Sequence, residues 1–299
     1  MTRAVTAGLL AVLAIVVVGC STIRIGYHQA HTIIGYMTND YLDLDPAQEQ
    51  DFRRRLDPLL AWHRRTQLPD YARFLTEART RLERGPAPAD VTWFVDGIRD
   101  RYRTLVRQGF DDGLAIVVTL TPEQLHHLQR KLDKDNAKFI KDTGLDRGVE
   151  ERKRAQFRKT FGQAEDWAGD LNREQEARLR AMVFAMPLVN HLRDEDRRRR
   201  QHELIEILKL RHDRAQFAPR LRAWLLDWEA GRSPEYEKVV TVAYAERAQV
   251  FVTTWNLFTP AQRAHALKRL QGYIDDLNAL SAPVPGATTA PPAPAKGAI

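Results

Sequence analysis

Four helix starts of one design are spaced along this chain, and they constrain its fold more than any other feature. Leu44-Asp45-Pro46-Ala47-Gln48, Leu120-Thr121-Pro122-Glu123-Gln124, Leu171-Asn172-Arg173-Glu174-Gln175 and Phe258-Thr259-Pro260-Ala261-Gln262 each put Asp, Thr or Asn ahead of a helix. Such a short polar side chain accepts from first-turn amides, and proline at the next position, in three of the four, already has a helical backbone angle. Glutamine three residues after the cap can reach back to the cap amide, which completes a capping box. The Leu or Phe before each cap is placed for a hydrophobic staple.

Apolar periodicity agrees with these starts. Phe52, Leu56, Leu59, Leu60 and His63 share one helical face, and Leu125, Leu128, Leu132 and Phe139 share another. Leu204, Ile207, Leu208 and Leu210 form a third apolar patch. Ile116-Val117-Val118 would suit a strand alone, but it lies inside a helical pattern that begins near Val91. The expected fold class is all-α, a multi-helix bundle or a short helical-repeat array.

The order of the signals repeats. A cap, a proline helix (Pro69 to Leu75, then Pro219 to Leu225), a Gly/Pro break (Gly85-Pro86, then Gly231 to Pro234) and a second cap occur twice. This predicts a tandem duplication of one helical unit, with 45–139 as unit 1, 140–170 as a connecting segment and 171–280 as unit 2. Residues 281–299 are rich in Pro and Ala, with Lys296 as their single charged side chain, and are expected as a disordered tail.

Cys20 is the single cysteine of 299 residues. Arg3, the uncharged apolar stretch Ala4 to Val18 and a small residue at Gly19 read as a secretory signal over 1–19. Val17 to Cys20 resembles a lipobox, and the resemblance implies cleavage between Gly19 and Cys20 and transfer of a diacylglyceryl group to the Cys20 thiol. Residues 20–44 are then a lipidated N-terminus and tether. With Cys20 consumed, no disulfide can form within one chain, so the core alone must supply stability.

Without residues 1–19 the formal net charge falls from +7 to +6, through loss of Arg3. Of the 46 basic residues 36 are arginine, which binds phosphate and carboxylate bidentately. The densest run, Arg197 to Arg200, admits contact with anionic lipid or polymer, or a helix surface laced with ion pairs. Neighbouring acids, as in Arg193-Asp194-Glu195-Asp196-Arg197, favour the second. A nucleic-acid partner is not expected for an exported chain.

No phosphate loop, His-Glu-x-x-His, paired cysteines or Gly-x-Ser-x-Gly elbow occurs. His126 and His127 are adjacent and point apart on a helix. His28 and His31 share a face but have no carboxylate between them. His63 beside Trp62 reads as a hydrogen-bonded core or boundary histidine, and Trp224 and Trp228 as packing residues of one helix face. Asp43, Asp45, Glu49 and Asp51 gather at a helix N-terminus, where the dipole favours negative charge, without EF-hand spacing. No catalytic residue, metal site or cofactor is expected, and the chain is expected not to be an enzyme.

The segments Gly19-Cys20-Ser21-Thr22-Ile23-Arg24-Ile25-Gly26-Tyr27, Tyr41-Leu42-Asp43-Leu44-Asp45-Pro46-Ala47-Gln48 and Trp62-His63-Arg64-Arg65-Thr66-Gln67-Leu68-Pro69-Asp70-Tyr71 resemble an uncharacterised family of proteobacterial outer-membrane lipoproteins. The resemblance runs from Cys20 to about Leu280. It implies a helical domain of unknown function, anchored in the outer membrane through acylated Cys20 on the periplasmic side. Val17 to Cys20 resembles a lipobox, and Ser21, where aspartate is the usual retention signal, implies outer-membrane sorting. Leu120-Thr121-Pro122-Glu123-Gln124 also resembles the Leu-Thr-x-x-Gln signature of the Spy and CpxP periplasmic chaperones. The leading expectation is a non-enzymatic scaffold or interaction module that contacts membrane lipid and envelope proteins. A chaperone-like client binder is the alternative, and an envelope-modifying enzyme a third.

Overall fold

A computed structural model describes residues 22–282, and within them the chain is all-α, with no strand. The helices are α1 (Thr22–His28), α2 (Ala30–Leu42), α3 (Pro46–Trp62), α4 (Leu68–Glu83), α5 (Pro88–Val117), α6 (Pro122–Thr143), α7 (Val149–Ala168), α8 (Arg173–Ala185), α9 (Asn190–Lys209), α10 (Arg214–Leu226), α11 (Pro234–Leu257) and α12 (Pro260–Ser281). A π-helical turn, His63–Gln67, joins α3 to α4. Ile116 and Val117 lie in the last turn of α5, as the longer helical pattern predicts.

All four capping boxes form, at α3, α6, α8 and α12. Their glutamines then do more than cap, because the boxes meet in pairs. Gln48 and Gln124 exchange amide hydrogen bonds, Nε2 of each donating to Oε1 of the other at 3.2 and 2.6 Å. Gln175 and Gln262 do the same at 2.7 and 3.2 Å. Each Oε1 also accepts from the N–H of its own cap residue, at 2.8–3.0 Å. Each Nε2 also donates to a carbonyl two residues before its partner's cap. Gln48 reaches Thr119 O, Gln124 reaches Asp43 O, Gln175 reaches Leu257 O and Gln262 reaches Asp170 O.

Apolar staples surround each clasp. Leu44, Ile116 and Leu120 cluster beside the first pair. Trp255, Phe258, Ala168 and Ala266 cluster beside the second, with Leu171 packed against them.

The helix packing follows the same two-part order. Helix α2 packs on α3 and α6, as α7 packs on α8 and α12; α3 meets α5, as α8 meets α11. Across the two parts α4 lies along α12 and α9 along α6, while α5 and α11 pack on each other. By packing, the counterpart of α4 is therefore α9. Helix α10, which carries Pro219, packs on α9 and α5 and has no counterpart in the first part. The sequence pairing of the Pro69 and Pro219 helices follows local pattern and does not match this packing. The segment expected as a tether contains α1 and α2, and the connecting segment is mostly the end of α6 and α7.

The interior is filled where helices of both parts meet. Phe110 and Leu114 of α5, Leu128 of α6, Leu208 of α9, and Phe217 and Leu221 of α10 form one cluster. Leu204, Ile207 and Leu210 pack against it. Ala72 of α4 meets Leu270 and Ile274 of α12 in another.

Glycine inside α5 shows how tightly one joint is fitted. A methyl at Gly97 would collide with the Phe74 ring, which stacks on Phe94 at 5.0 Å and carries the Arg101 guanidinium 3.9 Å away. Gly113 in the same helix has open space where a methyl would go. Gly113→Ala is expected to stabilise by up to about 1 kcal/mol, the ordinary helix preference. Gly97→Ala should reverse that sign, by about 1–3 kcal/mol of overpacking. Urea midpoints of the two variants measure the contrast.

The clasps differ in burial: Gln124 is 7 % exposed, whereas the Gln262 bonds to Asp170 and to its own cap are surface-exposed. Gln124→Ala removes the side-chain partner of Asp43 O and of the Thr121 N–H and should cost about 2–3 kcal/mol. Gln262→Ala should cost about 1 kcal/mol, since water replaces its partners. Gln124→Glu should be no milder than Gln124→Ala, because a carboxylate cannot donate to Asp43 O; chemical unfolding compares the three.

Candidate functional site

The best-defined polar cluster lies where α1 meets the π-turn. Pro69 has no N–H to continue the α-helical ladder, and the turn widens so that Leu68 N–H bonds to His63 O. His63 opens this turn and meets α1 through Tyr27. Tyr27 Oη lies 3.0 Å from His63 Nδ1, and the two rings stack at 5.8 Å. Tyr71 meets the imidazole edge-on at 5.4 Å, and Trp62 at 6.5 Å. The Arg64 guanidinium sits 5.4 Å from the Tyr27 ring centre, and Arg101 pairs with Asp70 at 2.9 Å beside it.

Burial pushes the His63 pKa below its ordinary value and keeps the imidazole neutral. Burial likewise raises the Tyr27 and Tyr71 phenols, so Tyr27 stays protonated and its hydroxyl can donate to Nδ1. With Nδ1 engaged and aromatic rings around it, His63 clamps α1 to the body. The sequence reading of a boundary histidine matches this setting, but it does not single out Tyr27 and Tyr71. The local signal for the turn is Pro69 following an unbroken helical pattern.

Helix α2 has its own clasp on α6. Tyr41 Oη donates to Asp135 at 2.6 Å, and Lys131 lies 2.9 Å from Asp40 and 3.0 Å from Asp135. Hydrogen bonds to Asp40 and Asp135 hold the lysine well above its usual range. Burial raises the Asp135 carboxyl, but the bonds from Tyr41 and Lys131 outweigh it and leave the group below its usual range.

The other sequence candidates scatter. Gly19 and Cys20 lie outside the described residues. His31 pairs with Asp57 at 2.6 Å and not with His28. His127 approaches Asp40 O at 3.1 Å, while His126 is exposed. Asp45 is a cap, Asp51 binds Arg54 and Arg55, Glu49 pairs with Arg53, and Asp43 turns through a left-handed conformation at φ 48°. Among the described residues no three His, Cys, Asp or Glu side chains gather as a metal would require.

The arginine run is used internally. Arg197 lies over Phe139, Arg198 pairs with Asp194, Arg199 with Asp196 and Glu203, and Arg200 covers the Trp224 ring at 4.5 Å. Arg200 also donates to Trp224 O, and Trp224 Nε1 donates to Arg200 O. Trp228 does not share a helix face with Trp224, since α10 ends at Leu226 and Trp228 packs on Tyr102 instead. The backbone leaves the helix at Asp227 on its way to the positive-φ Gly231. An open hollow of about 500 Å³ on α8, lined by Arg173, Glu176, Arg180 and Phe184 among others, brings no acid–base pair of catalytic form together.

The fold and these contacts define an all-α body with its N-terminal helices clamped against it. A model for a family of unknown function, DUF6279, matches residues 40–237, and the chain belongs to that family. No curated protein and no solved structure matches it. The family match begins in the last turn of α2 and ends in the first turn of α11, so it includes the first glutamine clasp and the π-turn.

Neutral His63 gives stability a pH signature. The unfolded chain takes its proton near pH 6.5, whereas the folded chain does so only at lower pH, so unfolding binds a proton in that window. The contribution is complete above about pH 6.5 and is lost as pH falls through the lowered value. Melting temperatures between pH 7.5 and 5 should fall less steeply in His63→Phe than in the parent.

Proposed function

We propose that this protein is an exported lipoprotein, held on the periplasmic face of the outer membrane by acylated Cys20, that works as a non-enzymatic interaction module. The observation that carries the reading is the place of the lipobox-like Val17 to Cys20. It ends two residues before α1, a helix fixed to the body by the Tyr27–His63 contact and by packing on α12. A lipid on Cys20 would therefore hold the whole body close to the bilayer. Three acyl chains exceed the one-chain anchoring that is only marginal.

The internal pairing of the arginine run supports contact through shape and exposed side chains over bulk attraction of polyanions. The matched packing of α2–α6 with α7–α9 and α11–α12 supports a tandem duplication of one helical unit, with α10 added to the second copy. A client-binding role is the second reading. Phe94 and Ile98 of α5 and Val242, Tyr244 and Phe251 of α11 are exposed apolar side chains on two helices that pack on each other.

Cys20→Ser should abolish palmitate labelling and leave the chain unprocessed or released from the outer-membrane fraction. Unchanged labelling and fractionation would refute the anchor. Suppression of aggregation of an unfolded model protein, lost in Ile98→Glu with Phe251→Glu, would favour the second reading.

A further inference from the structure

Helices α1 and α2 carry an apolar stripe that nothing in the described chain covers. Ile25 is 49 % exposed, Ile33 43 %, Tyr36 74 % and Met37 57 %. The two helices are nearly continuous, since Gln29 N–H bonds to Ile25 O and Ile33 N–H to Gln29 O. At 3.6 residues per turn the four side chains fall within about 120° of arc. Between residues 21 and 39 the only Asp, Glu, Lys or Arg is Arg24, about opposite the stripe. The body-facing side is occupied: Tyr27 binds His63, His31 binds Asp57 and Tyr41 binds Asp135.

We propose that this stripe seats in the interfacial layer of the bilayer that holds Cys20, as a second membrane contact that fixes the orientation of the body. The proposal rests on the lipid-anchor reading. Once residues 1–19 are removed, only Cys20 and Ser21 precede α1. Two residues span at most about 7 Å, so acyl chains can enter the bilayer only if α1 lies at its surface. The stripe begins at Ile25, within two turns of the lipid. Tyr36 has an apolar ring and a polar tip, which suits the headgroup boundary.

A second copy of the chain is a poorer occupant. Four side chains offer on the order of a few hundred Å², against about 1,200 Å² or more in a stable dimer. The low charge of the stripe implies binding that depends little on salt or on anionic lipid, unlike a basic surface helix.

The test uses the processed lipoprotein reconstituted into phosphatidylethanolamine–phosphatidylglycerol vesicles. Nitroxide labels are placed at Tyr36→Cys, Met37→Cys and, for comparison, Arg53→Cys on α3, a side chain 69 % exposed. Labels at 36 and 37 should gain oxygen access and lose access to a water-soluble nickel chelate, while 53 stays aqueous. Labels at 36 and 37 as aqueous as 53, with palmitate present, would overturn the stripe and leave the anchor intact. Dipolar broadening between labels at 36 would overturn it in favour of a second copy.

If the chain takes no palmitate, the anchor reading fails, and the stripe is judged on a lipid-free form. Val17→Ala, Gly19→Ala and Cys20→Ser replace the lipobox with an ordinary Ala-x-Ala cut. That chain should bind the same vesicles weakly, and Tyr36→Glu with Met37→Glu should reduce binding roughly tenfold or more. Equal binding of the two would end the proposal.

Discussion

The architecture depends on amide groups that use every hydrogen-bonding position they have. In the Gln48–Gln124 clasp each side-chain oxygen accepts twice, from its own cap amide and from the partner's nitrogen. Each nitrogen donates twice, to the partner's oxygen and to the backbone of the partner's approach loop. Glutamate could complete a capping box, but it has no hydrogen to give across the clasp. That explains why all four boxes use glutamine. The same pattern at Gln175–Gln262 joins the N-terminal ends of α8 and α12, and the first clasp is the better shielded, with Gln48 and Gln124 both buried while Gln262 bonds at the surface.

Around these clasps the arginines act as fastenings between helices. Arg211 is buried and donates to Leu120 O at 2.7 Å, next to the first clasp, while Arg263 donates to Phe258 O at 3.0 Å next to the second. Arg101, Arg200 and Arg222 lie over Phe74, Trp224 and Phe110. A guanidinium can stack on a ring while its edge still bonds to a carbonyl or carboxylate, which lysine does less well. A sequence pI near 9.6 therefore coexists with an arginine run that is largely paired.

Much of the helical framework is legible in the sequence, because caps, stop signals and apolar period are local. The four boxes and the continuation of α5 through Ile116 follow from residues a few positions apart. What is not local is not legible. That Gln48 meets Gln124 depends on the loops at Asp43 and Thr119 arriving together, and a capping box alone does not state it. The consistent choice of glutamine over glutamate is the available clue. The Pro69 and Pro219 helices look alike in sequence, yet packing pairs α4 with α9, since burial responds to the whole face and not to a proline and one aromatic. At the candidate site His63 is recognisable as a boundary residue, whereas Tyr27, 36 positions earlier, meets it through tertiary packing of α1 that no local pattern states.

The crossing of α4 onto α12 has a consequence for how this chain is made. The partners of Ala72 are Leu270 and Ile274, in the middle of the last described helix. As the chain emerges from N- to C-terminus, α4 keeps an uncovered apolar face until almost everything else has been delivered. Neither part can finish its core alone, so the final state is reached only when the last helix arrives and closes over one of the first.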